Sequence, residues 1–250
     1  MQQSTFEAVT LAEATAALNR VFEEYLLPLE FSQAQMELHL DANDIAGSLS
    51  PIWYADDGAI VAAATLAIRG PRGWVGGFGV APPHRGRGIA TELLDCVIGL
   101  ARGRGIRSLE LEVLCENGRA IRTYKRAGFE TRRTLESSRW AATRNSSARA
   151  RLMPVAAFVK RPDRIAPCWQ REVASLMRQP GLRAVSLDEH AYAIFRHDQR
   201  EAQILKVEAP SSAGLAALAA SIVEIFGLKG VSLFNEPSAS PIARYAHALG

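Results

Sequence analysis

The chain has 250 residues, of which 48% are hydrophobic and 22% charged, which is the composition of a folded protein rather than a disordered one. No apolar run reaches the roughly 18–20 residues that span a bilayer, and no basic segment with an apolar core begins the chain, so neither a membrane span nor a secretory signal is predicted. Three distant cysteines and five histidines without ligand spacing predict no disulfide framework and no metal site. We therefore expect a reduced, cytoplasmic, metal-free protein without a membrane partner.

The net charge of +3 conceals two oppositely charged segments. Residues 1–68 contain ten acidic side chains and one basic side chain, Arg20, and carry a net charge of −9. Residues 85–151 contain fifteen Lys and Arg and seven Asp and Glu, and carry a net charge of +8. Such separation suggests one surface for an anionic partner and another for a cationic partner, although two solvated faces would give the same pattern.

The first half of the chain predicts a mixed α/β fold with alternating strands and helices. The expected elements are helices over 10–29 and 32–40, a short helix after Asp44, a hairpin of strands 52–54 and 60–68, a strand over 74–80, a helix from Ile89, a strand over 108–115, a helix over 117–127 and a strand over 129–139. Pro28 is expected to end the first helix, and Gly128 to cap the last one.

Residues 141–151 are small, polar and basic, and we interpret them as a linker. The expected elements after the linker are a helix near 168–178, strands near 184–187, 191–196 and 202–207, a helix over 213–226, a strand over 231–234 and a helix over 241–249. The order strand, strand, strand, helix, strand, helix matches residues 52–128. This agreement predicts an internal duplication.

The loop Arg85–Ala90 has the composition of an anion-binding site. Its glycines permit unusual backbone angles and close approach of a ligand, and the helix that follows points its first N–H groups at an anion. Arg85 and Arg87 can add charge-assisted hydrogen bonds, so a pyrophosphate is a suitable ligand. A P-loop is excluded because Gly88 is not followed by Lys and Ser or Thr, and the dinucleotide-binding fingerprint fails because Thr91 replaces its last glycine.

The wider sequence resembles the GCN5-related N-acetyltransferases, the GNAT family. The cofactor motif of that family, Gln/Arg-x-x-Gly-x-Gly/Ala, corresponds to Arg85-Gly86-Arg87-Gly88-Ile89-Ala90. An Asn after the next strand, a Tyr in the following helix and a Gly-Phe pair correspond to Asn117, Tyr124 and Gly128-Phe129. The resemblance covers about residues 5–140, and it implies an acyl-CoA N-acyltransferase fold.

The resemblance also implies a role for each matching residue. The backbone of Phe78 and Val80 would pair with the pantetheine arm of acetyl-CoA, Asn117 would contact the pantetheine side, and Tyr124 would protonate the departing thiolate as general acid. A backbone N–H near Val80 would meet the oxyanion of the tetrahedral intermediate. The amides that would hold the pyrophosphate belong to Arg85, Gly86, Arg87, Gly88, Ile89, Ala90 and Thr91.

The predicted reaction is direct attack of a primary amine on the acetyl carbonyl of acetyl-CoA. The resemblance does not assign the base that deprotonates the amine. The acidic candidates near the expected acceptor site are Glu23, Glu24, Glu30 and Asp44. We select Glu24 as the catalytic candidate. Because the acceptor site falls in the acidic segment, we expect a cationic acceptor, such as a polyamine, an aminoglycoside or a lysine side chain.

The second half departs from the family pattern. Residues 209–214, which precede its long helix, contain no Arg and one Gly, and Ala246 stands where Tyr124 stands in the first half. We therefore predict a GNAT N-acetyltransferase domain over 1–145 and a degenerate GNAT-like domain over 152–250. The second domain would shape the acceptor cleft or support a homodimer.

Two other functions fit parts of the same sequence. A non-catalytic acyl-CoA-binding or sensing protein could use this fold, although the presence of Tyr124 favours an enzyme. The basic segment could bind nucleic acid, but no recognition helix, zinc finger or RNP pattern is present, so no nucleic-acid partner is expected.

Overall fold

The computed structural model describes residues 1–141 and 149–249. The chain divides into two compact units, Met1–Glu130 and Thr131–Gly250. Most of the predicted linker, residues 142–148, lies outside the described residues. Within the described parts of the chain, no helix has the length and apolar character needed to cross a membrane.

The first unit contains five strands and four α-helices. In chain order they are β1 (Gln2–Thr5), α1 (Leu11–Phe22), α2 (Gln33–Ala42), β2 (Pro51–Tyr54), β3 (Ile60–Arg69), β4 (Arg72–Val80), α3 (Ile89–Gly103), β5 (Ser108–Leu111) and α4 (Gly118–Arg126). The strands form one sheet in the order β1-β2-β3-β4-β5. Strands β1 to β4 are antiparallel to their neighbours, and β5 is parallel to β4 because α3 carries the chain back across the sheet.

The sheet of the first unit has an apolar cluster on each face. Leu93 and Val97 of α3 pack with Leu66 and Val75 on one face. Leu18 of α1 packs with Met36 of α2 and with sheet residues on the other. Each buried side chain of this kind contributes about 1.5–3 kcal/mol, and together they hold α1 and α3 against opposite faces of β4.

Helix α1 is shorter than its sequence predicts. Thr10 caps its start and exchanges side-chain and backbone hydrogen bonds with Glu13, but the helix ends at Phe22 rather than at Pro28. The carbonyls of Val21 and Glu23 accept hydrogen bonds from Arg85. The prediction was wrong at this end because a tertiary contact takes the carbonyls that a longer helix would use.

Strand β5 is also shorter than predicted, since it ends at Leu111 rather than at Cys115. Its last Cα pair with β4 is Val75 with Leu111, after which the two strands no longer pair. Alternation of apolar and polar residues through 115 reflects an extended chain, but a ladder also needs a partner strand.

The described residues of the second unit form six strands and three α-helices. In chain order they are β6 (Leu135–Trp140), β7 (Arg151–Met153), α5 (Val173–Leu176), β8 (Arg183–Ser186), β9 (Tyr192–His197), β10 (Glu201–Glu208), α6 (Ser212–Phe226), β11 (Gly230–Pro237) and α7 (Pro241–His247). The sheet order is β6-β11-β10-β9-β8-β7, with β11 parallel to β10 and the other pairs antiparallel. Helix α6 is apolar over most of its length, and Leu215, Leu218 and Ile222 are fully buried against this sheet.

Strand β6 belongs to the second sheet. The sequence places a strand at 129–139 with the first half, whereas the strand begins at Leu135 and pairs antiparallel with β11. Apolar and polar alternation predicts that a strand forms, but its partner is chosen by a sheet edge far away in the sequence.

Candidate active site

The parallel strands β4 and β5 diverge near the middle of β4. They pair from Arg72 with Ser108 to Val75 with Leu111. On the other edge of β4, the register with β3 shifts so that Gly76 is an extra residue, a β-bulge, immediately after the last pair with β5. A bulge bends its strand, so β4 turns away from β5 at this point. Residues 76–80 of β4 therefore do not pair with β5, and the edge of β4 that faces β5 is unpaired with β5 beyond Val75. The pairing of Phe78 and Val80 with pantetheine stays a prediction.

Two glycines bring α1 close to the end of β4. A Cβ at Gly77 would lie 2.8 Å from Leu18 Cδ1, and a Cβ at Gly79 would lie 2.9 Å from the Val21 backbone oxygen. Larger residues would therefore push α1 off the sheet. Close packing places the C-terminus of α1 beside the residues that continue from β4 into α3.

The loop between β4 and α3 has the geometry of an anion site. Gly86 and Gly88 adopt left-handed φ angles of 79° and 85°, which other residues rarely adopt. Gly88 is the N-cap of α3, and no side chain among the described residues caps this end. The first amides of α3, from Ile89, Ala90 and Thr91, start at this exposed loop, and the helix dipole favours an anion there. The predicted cradle residues are brought together in one turn.

A further guanidinium reaches this loop from α4. Arg119 Nη2 lies 3.7 Å from the position that a Cβ would take at Gly86. The sequence analysis missed Arg119 because helical periodicity places it on an exposed face, without indicating which loop that face meets. The cradle therefore has two exposed arginines, Arg87 and Arg119, suited to a pyrophosphate.

Arg85 differs from the other arginines because its guanidinium points away from the loop. Its Nε donates to the Val80 carbonyl at 2.9 Å, and its Nη2 donates to the Glu23 carbonyl at 2.5 Å and to the Val21 carbonyl at 3.5 Å. Its Nη1 donates to the Glu24 carboxylate at 3.2 Å. The side chain of Arg85 therefore joins the end of β4 to the end of α1, and only its backbone remains for the cradle.

Tyr124 lies in α4 and is buried, with 8% of its surface exposed. Its ring meets Phe78 of β4 at a centroid distance of 5.7 Å and Phe129 at 5.9 Å, both in edge-on or tilted arrangements. Burial raises the pKa of the Tyr124 phenol far above its ordinary value, and the nearby Tyr25 adds to the shift. The phenol therefore keeps its proton at neutral pH, as a general acid must.

Asn117 has a structural role at the start of α4. It is the N-cap of α4, and its Oδ1 accepts a hydrogen bond from the Ala120 amide at 3.1 Å. This cap fixes the start of the helix that carries Tyr124. The predicted contact of Asn117 with pantetheine stays a prediction.

The carboxylate of Glu112, which the sequence pattern did not single out, lies at the divergence of β4 and β5. Glu112 follows the last residue of β5, and Trp74 Nε1 donates to its Oε2 at 2.6 Å. The Trp74 ring lies over Gly76, where a Cβ would come within 2.2 Å of a ring carbon. Alternation along 108–115 identified Glu112 only as part of a polar face, and its contact with Trp74 depends on the pairing of β4 with β5.

The four acidic candidates for the base have different surroundings. Asp44 is paired with Arg69 at 2.6 Å, and Glu23 forms an ion pair with Arg20. Glu24 is 74% exposed at its side chain and pairs with Arg85, and Glu30 is exposed. Glu24 is thus the candidate whose carboxylate contacts a residue of the cradle loop.

Comparisons with known proteins find a family model that matches this region. The model of the acetyltransferase (GNAT) family matches residues 15–129. Residues 15–129, a little under half of the chain, are thus similar to the GNAT family. This match includes the divergent strands, the cradle loop and Tyr124, which lie together in the first unit.

Individual relatives match shorter stretches. An uncharacterised N-acetyltransferase of Methanocaldococcus jannaschii is 47% identical over 57 residues, which are 23% of this chain and 25% of the relative. The streptothricin acetyltransferase of Streptomyces lavendulae is 48% identical over 50 residues, which are 20% of this chain and 26% of the relative. The chain thus spans about a quarter of the length of these curated relatives.

A solved structure resembles nearly the whole chain. The GCN5-related N-acetyltransferase from Sphaerobacter thermophilus aligns over 98% of this chain and 91% of its own length, with a TM-score of 0.67 and 16% identity. At this identity the likeness establishes the fold, a mixed α/β arrangement of the GNAT type, and not the substrate.

Proposed function

We propose that the chain is an acetyl-CoA-dependent N-acetyltransferase that moves the acetyl group directly to a primary amine. One observation carries the proposal: the parallel strands β4 and β5 diverge between a helix N-terminus without a side-chain cap and a buried, protonated phenol. The helix end and the arginines beside it suit the pyrophosphate of coenzyme A. The open edge of β4 suits its pantetheine arm.

Tyr124 would complete the reaction at the leaving group. The amine nitrogen attacks the thioester carbonyl carbon, the carbon–sulfur bond breaks, and the phenol gives its proton to the departing thiolate. The contact between Tyr124 and Phe78 supports this role, because Phe78 lies on the β4 edge proposed to bind pantetheine. The oxyanion would be met by a backbone N–H near Val80.

Two carboxylates are candidates for the base that takes the proton of the amine. Glu24 is the residue chosen from the sequence, and its carboxylate is engaged by Arg85. Glu112 stands at the divergence of β4 and β5, and the Trp74 indole orients it. We favour Glu112, since it follows the last β5 residue that pairs with β4, at the inner end of the open β4 edge proposed to bind the pantetheine arm. Glu112→Gln should lower kcat and remove the acidic limb of its pH profile, whereas Glu24→Gln should keep that limb.

A cationic acceptor remains part of the proposal. The segment between α1 and α2 contributes three exposed acidic side chains, Glu23, Glu24 and Glu30. These would attract a cationic amine, such as a polyamine, an aminoglycoside or a lysine side chain. A cytoplasmic location and a homodimer stay predictions.

The second unit, in this proposal, is a degenerate copy of the first. Both sheets have four antiparallel strands, a helix and a parallel strand in the same order. The parallel pair β10 and β11 ends at Ile204 with Leu233, and a bulge follows at Leu205, as Gly76 follows Val75. This shared irregularity supports a duplication better than the common order alone does.

The copy has lost the features proposed to bind coenzyme A. Residues 209–211 join β10 to α6, whereas the longer loop 81–88 joins β4 to α3. Ser211 caps α6 by accepting a hydrogen bond from the Gly214 amide at 3.2 Å, so this helix end is satisfied internally. A single acetyl-CoA site in each chain is therefore expected.

Calorimetric titration with acetyl-CoA, followed by assay of thiol release with a panel of cationic amines, tests the proposal. We expect one site per chain and turnover with at least one cation. Binding without turnover would favour an acyl-CoA-binding or sensing protein. If the chain does not bind acetyl-CoA, the proposal is wrong. Two acetyl-CoA sites per chain would show that the second unit is not degenerate.

A further inference from the structure

Arg85 forms a junction between the cradle loop and the segment that follows α1. We call residues 23–32 the α1–α2 segment. Two carbonyls, that of Val21 at the end of α1 and that of Glu23 at the start of this segment, accept from Arg85, and the carboxylate of Glu24 pairs with the same guanidinium. A third carbonyl, that of Val80, holds the other side of the guanidinium to β4. Four acceptors from two parts of the fold thus converge on one side chain.

The direction of the α1–α2 segment is set at this junction. Glu24 adopts a left-handed φ of 59°, which is uncommon for a residue other than glycine and costs about 1–2 kcal/mol. The hydrogen bonds from Arg85 to the preceding carbonyls compensate for such a conformation. The chain leaves α1 in the direction that this residue gives it, rather than continuing as a helix.

The α1–α2 segment leads toward the proposed reaction centre. A Cβ at Gly79 would lie 2.9 Å from the backbone oxygen of Val21, just before the segment, and Arg85 joins this turn to the Val80 carbonyl, near the proposed oxyanion site. The Tyr25 ring meets Phe22 at a centroid distance of 5.4 Å, which holds it near the end of α1. Beyond Tyr25 the segment exposes three leucines, Leu26, Leu27 and Leu29.

We propose that Arg85 is a positioning residue for the amine acceptor, and that it holds the α1–α2 segment in place through the carbonyls of Val21 and Glu23 and the carboxylate of Glu24. This inference rests on the proposed N-acetyltransferase function. It separates Arg85 from Arg87 and Arg119, whose guanidinium groups are assigned to the pyrophosphate. It also assigns Glu24 to acceptor positioning rather than to proton transfer.

Steady-state kinetics of three variants test this proposal. In Arg85→Lys, we expect the KM for the amine to rise about tenfold, while the KM for acetyl-CoA changes less than about twofold, since an ammonium cannot reach all four acceptors. Glu24→Gln should raise the amine KM about threefold, which is the effect of one exposed ion pair. Glu37→Gln is the matched control, because Glu37 is an exposed carboxylate on α2, outside the α1–α2 segment.

The double variant Arg85→Lys/Glu24→Gln separates the junction from a direct contact of Glu24 with the amine. If both residues act through one junction, the double variant has nearly the amine KM of Arg85→Lys. If the two increases in the amine KM multiply in the double variant, the two residues act independently, and the proposed junction is contradicted. An acetyl-CoA KM that rises while the amine KM is unchanged would also contradict it, since that result makes Arg85 a phosphate ligand.

A kcat that falls with loss of the acidic limb in Glu24→Gln would instead make Glu24 the base and overturn its assignment to positioning. Glu24 is exposed, so this variant is expected to fold even if Arg85→Lys unfolds. Failure of the wild-type chain to bind acetyl-CoA would reject the proposed function itself, and it is measured before any variant is made.

Discussion

The Tyr124 phenol combines burial with a position next to the open edge of β4. Since burial keeps the phenol protonated at neutral pH, the side chain can give a proton but cannot serve as a base there. Phe78 and Phe129 fix the ring, so substitution by Phe removes only the hydroxyl.

The variant Tyr124→Phe should therefore lower kcat by about 10²-fold, the usual contribution of a general acid, with little change in the KM for acetyl-CoA. Thiol release under saturating amine measures the effect. Tyr25→Phe is the matched control, since it removes a neighbouring phenol outside the proposed acid role. Equal losses in the two variants would argue against Tyr124 as the acid.

His39 makes the first unit sensitive to acid. Its Nε2 is buried without a hydrogen-bond partner among the described residues, and its ring packs between Phe31 and Trp74. Burial lowers the pKa of His39 to about 4 from an ordinary value of 6.5. The unfolded chain therefore binds a proton that the folded chain does not, and the stability contributed by neutral His39 is present above pH 6.5 and is lost as the pH falls toward 4.

Between pH 7 and pH 5 this difference should cost the wild-type chain about 2 kcal/mol of unfolding free energy. His39→Phe removes the titrating group and fits the same aromatic surroundings, so its stability should depend less on pH over that interval. Chemical denaturation at the two pH values measures the difference. The same dependence in both chains would show that other groups cause the acid sensitivity.

At the scale of single elements, the loop before α3 depends on backbone angles more than on space. A Cβ at Gly88 would meet no atom closer than Glu92 Oε1 at 4.0 Å, but the φ of this residue is 85°. Gly88→Ala should therefore shift the first amides of α3 and raise the Kd for acetyl-CoA about tenfold, since left-handed backbone costs a residue with a side chain about 1–2 kcal/mol.

Gly99→Ala, in the same helix, is the control for Gly88→Ala. Gly99 has open space around its Cβ position and no positive φ, so the helix should become slightly more stable and acetyl-CoA binding should stay as in the wild type. Calorimetry of both variants makes the comparison. Unchanged binding in Gly88→Ala would exclude a cradle made by the first turn of α3.

The contrast between α3 and α1 explains how far the sequence predicts elements. The start of α3 was predicted at Ile89 because glycines and apolar spacing lie in the same short stretch. The end of α1 was not, because the carbonyl of Val21 is taken by Arg85, more than sixty residues later. A sequence predicts the structure that neighbouring residues determine. It does not predict a hydrogen bond from a side chain that is distant in the sequence. The same reasoning applies to Glu112, whose partner Trp74 lies on another strand.

At the scale of the molecule, the two units share the order strand, strand, strand, helix, strand, helix from β2 and from β8, but the space where their parallel strands diverge differs. In the second unit, Arg171 Nε donates to the Leu205 carbonyl at 2.6 Å, and Nη1 donates to the carbonyls of Phe234 and Asn235 at 3.0 and 3.1 Å. Its Nη1 also pairs with Glu236 at 2.6 Å. A guanidinium from the chain itself thus fills the space between β10 and β11.

No periodic pattern in the sequence predicts that a side chain fills this cleft. Arg171 lies in a short turn before α5, and Glu236 lies near the end of β11, so only the folded unit brings them together. Both are buried, with 5% and 9% of their side-chain surfaces exposed. Removal of one partner from such a pair leaves an uncompensated charge, which costs about 3–5 kcal/mol.

Arg171→Ala should accordingly lower the free energy of unfolding by about that amount, and methylguanidinium at millimolar concentration should restore part of the loss by taking the vacated place. Thermal unfolding with and without the cation measures both effects. Arg164→Ala is the control, since Arg164 is 68% exposed and should neither destabilise much nor respond to the cation. The double variant Arg171→Ala/Glu236→Ala should lose the response, because the carboxylate that attracts the cation is absent. A stable Arg171→Ala chain without such a response would mean that the contacts of Arg171 are dispensable, and the second cleft would then need another explanation for its loss of coenzyme A binding.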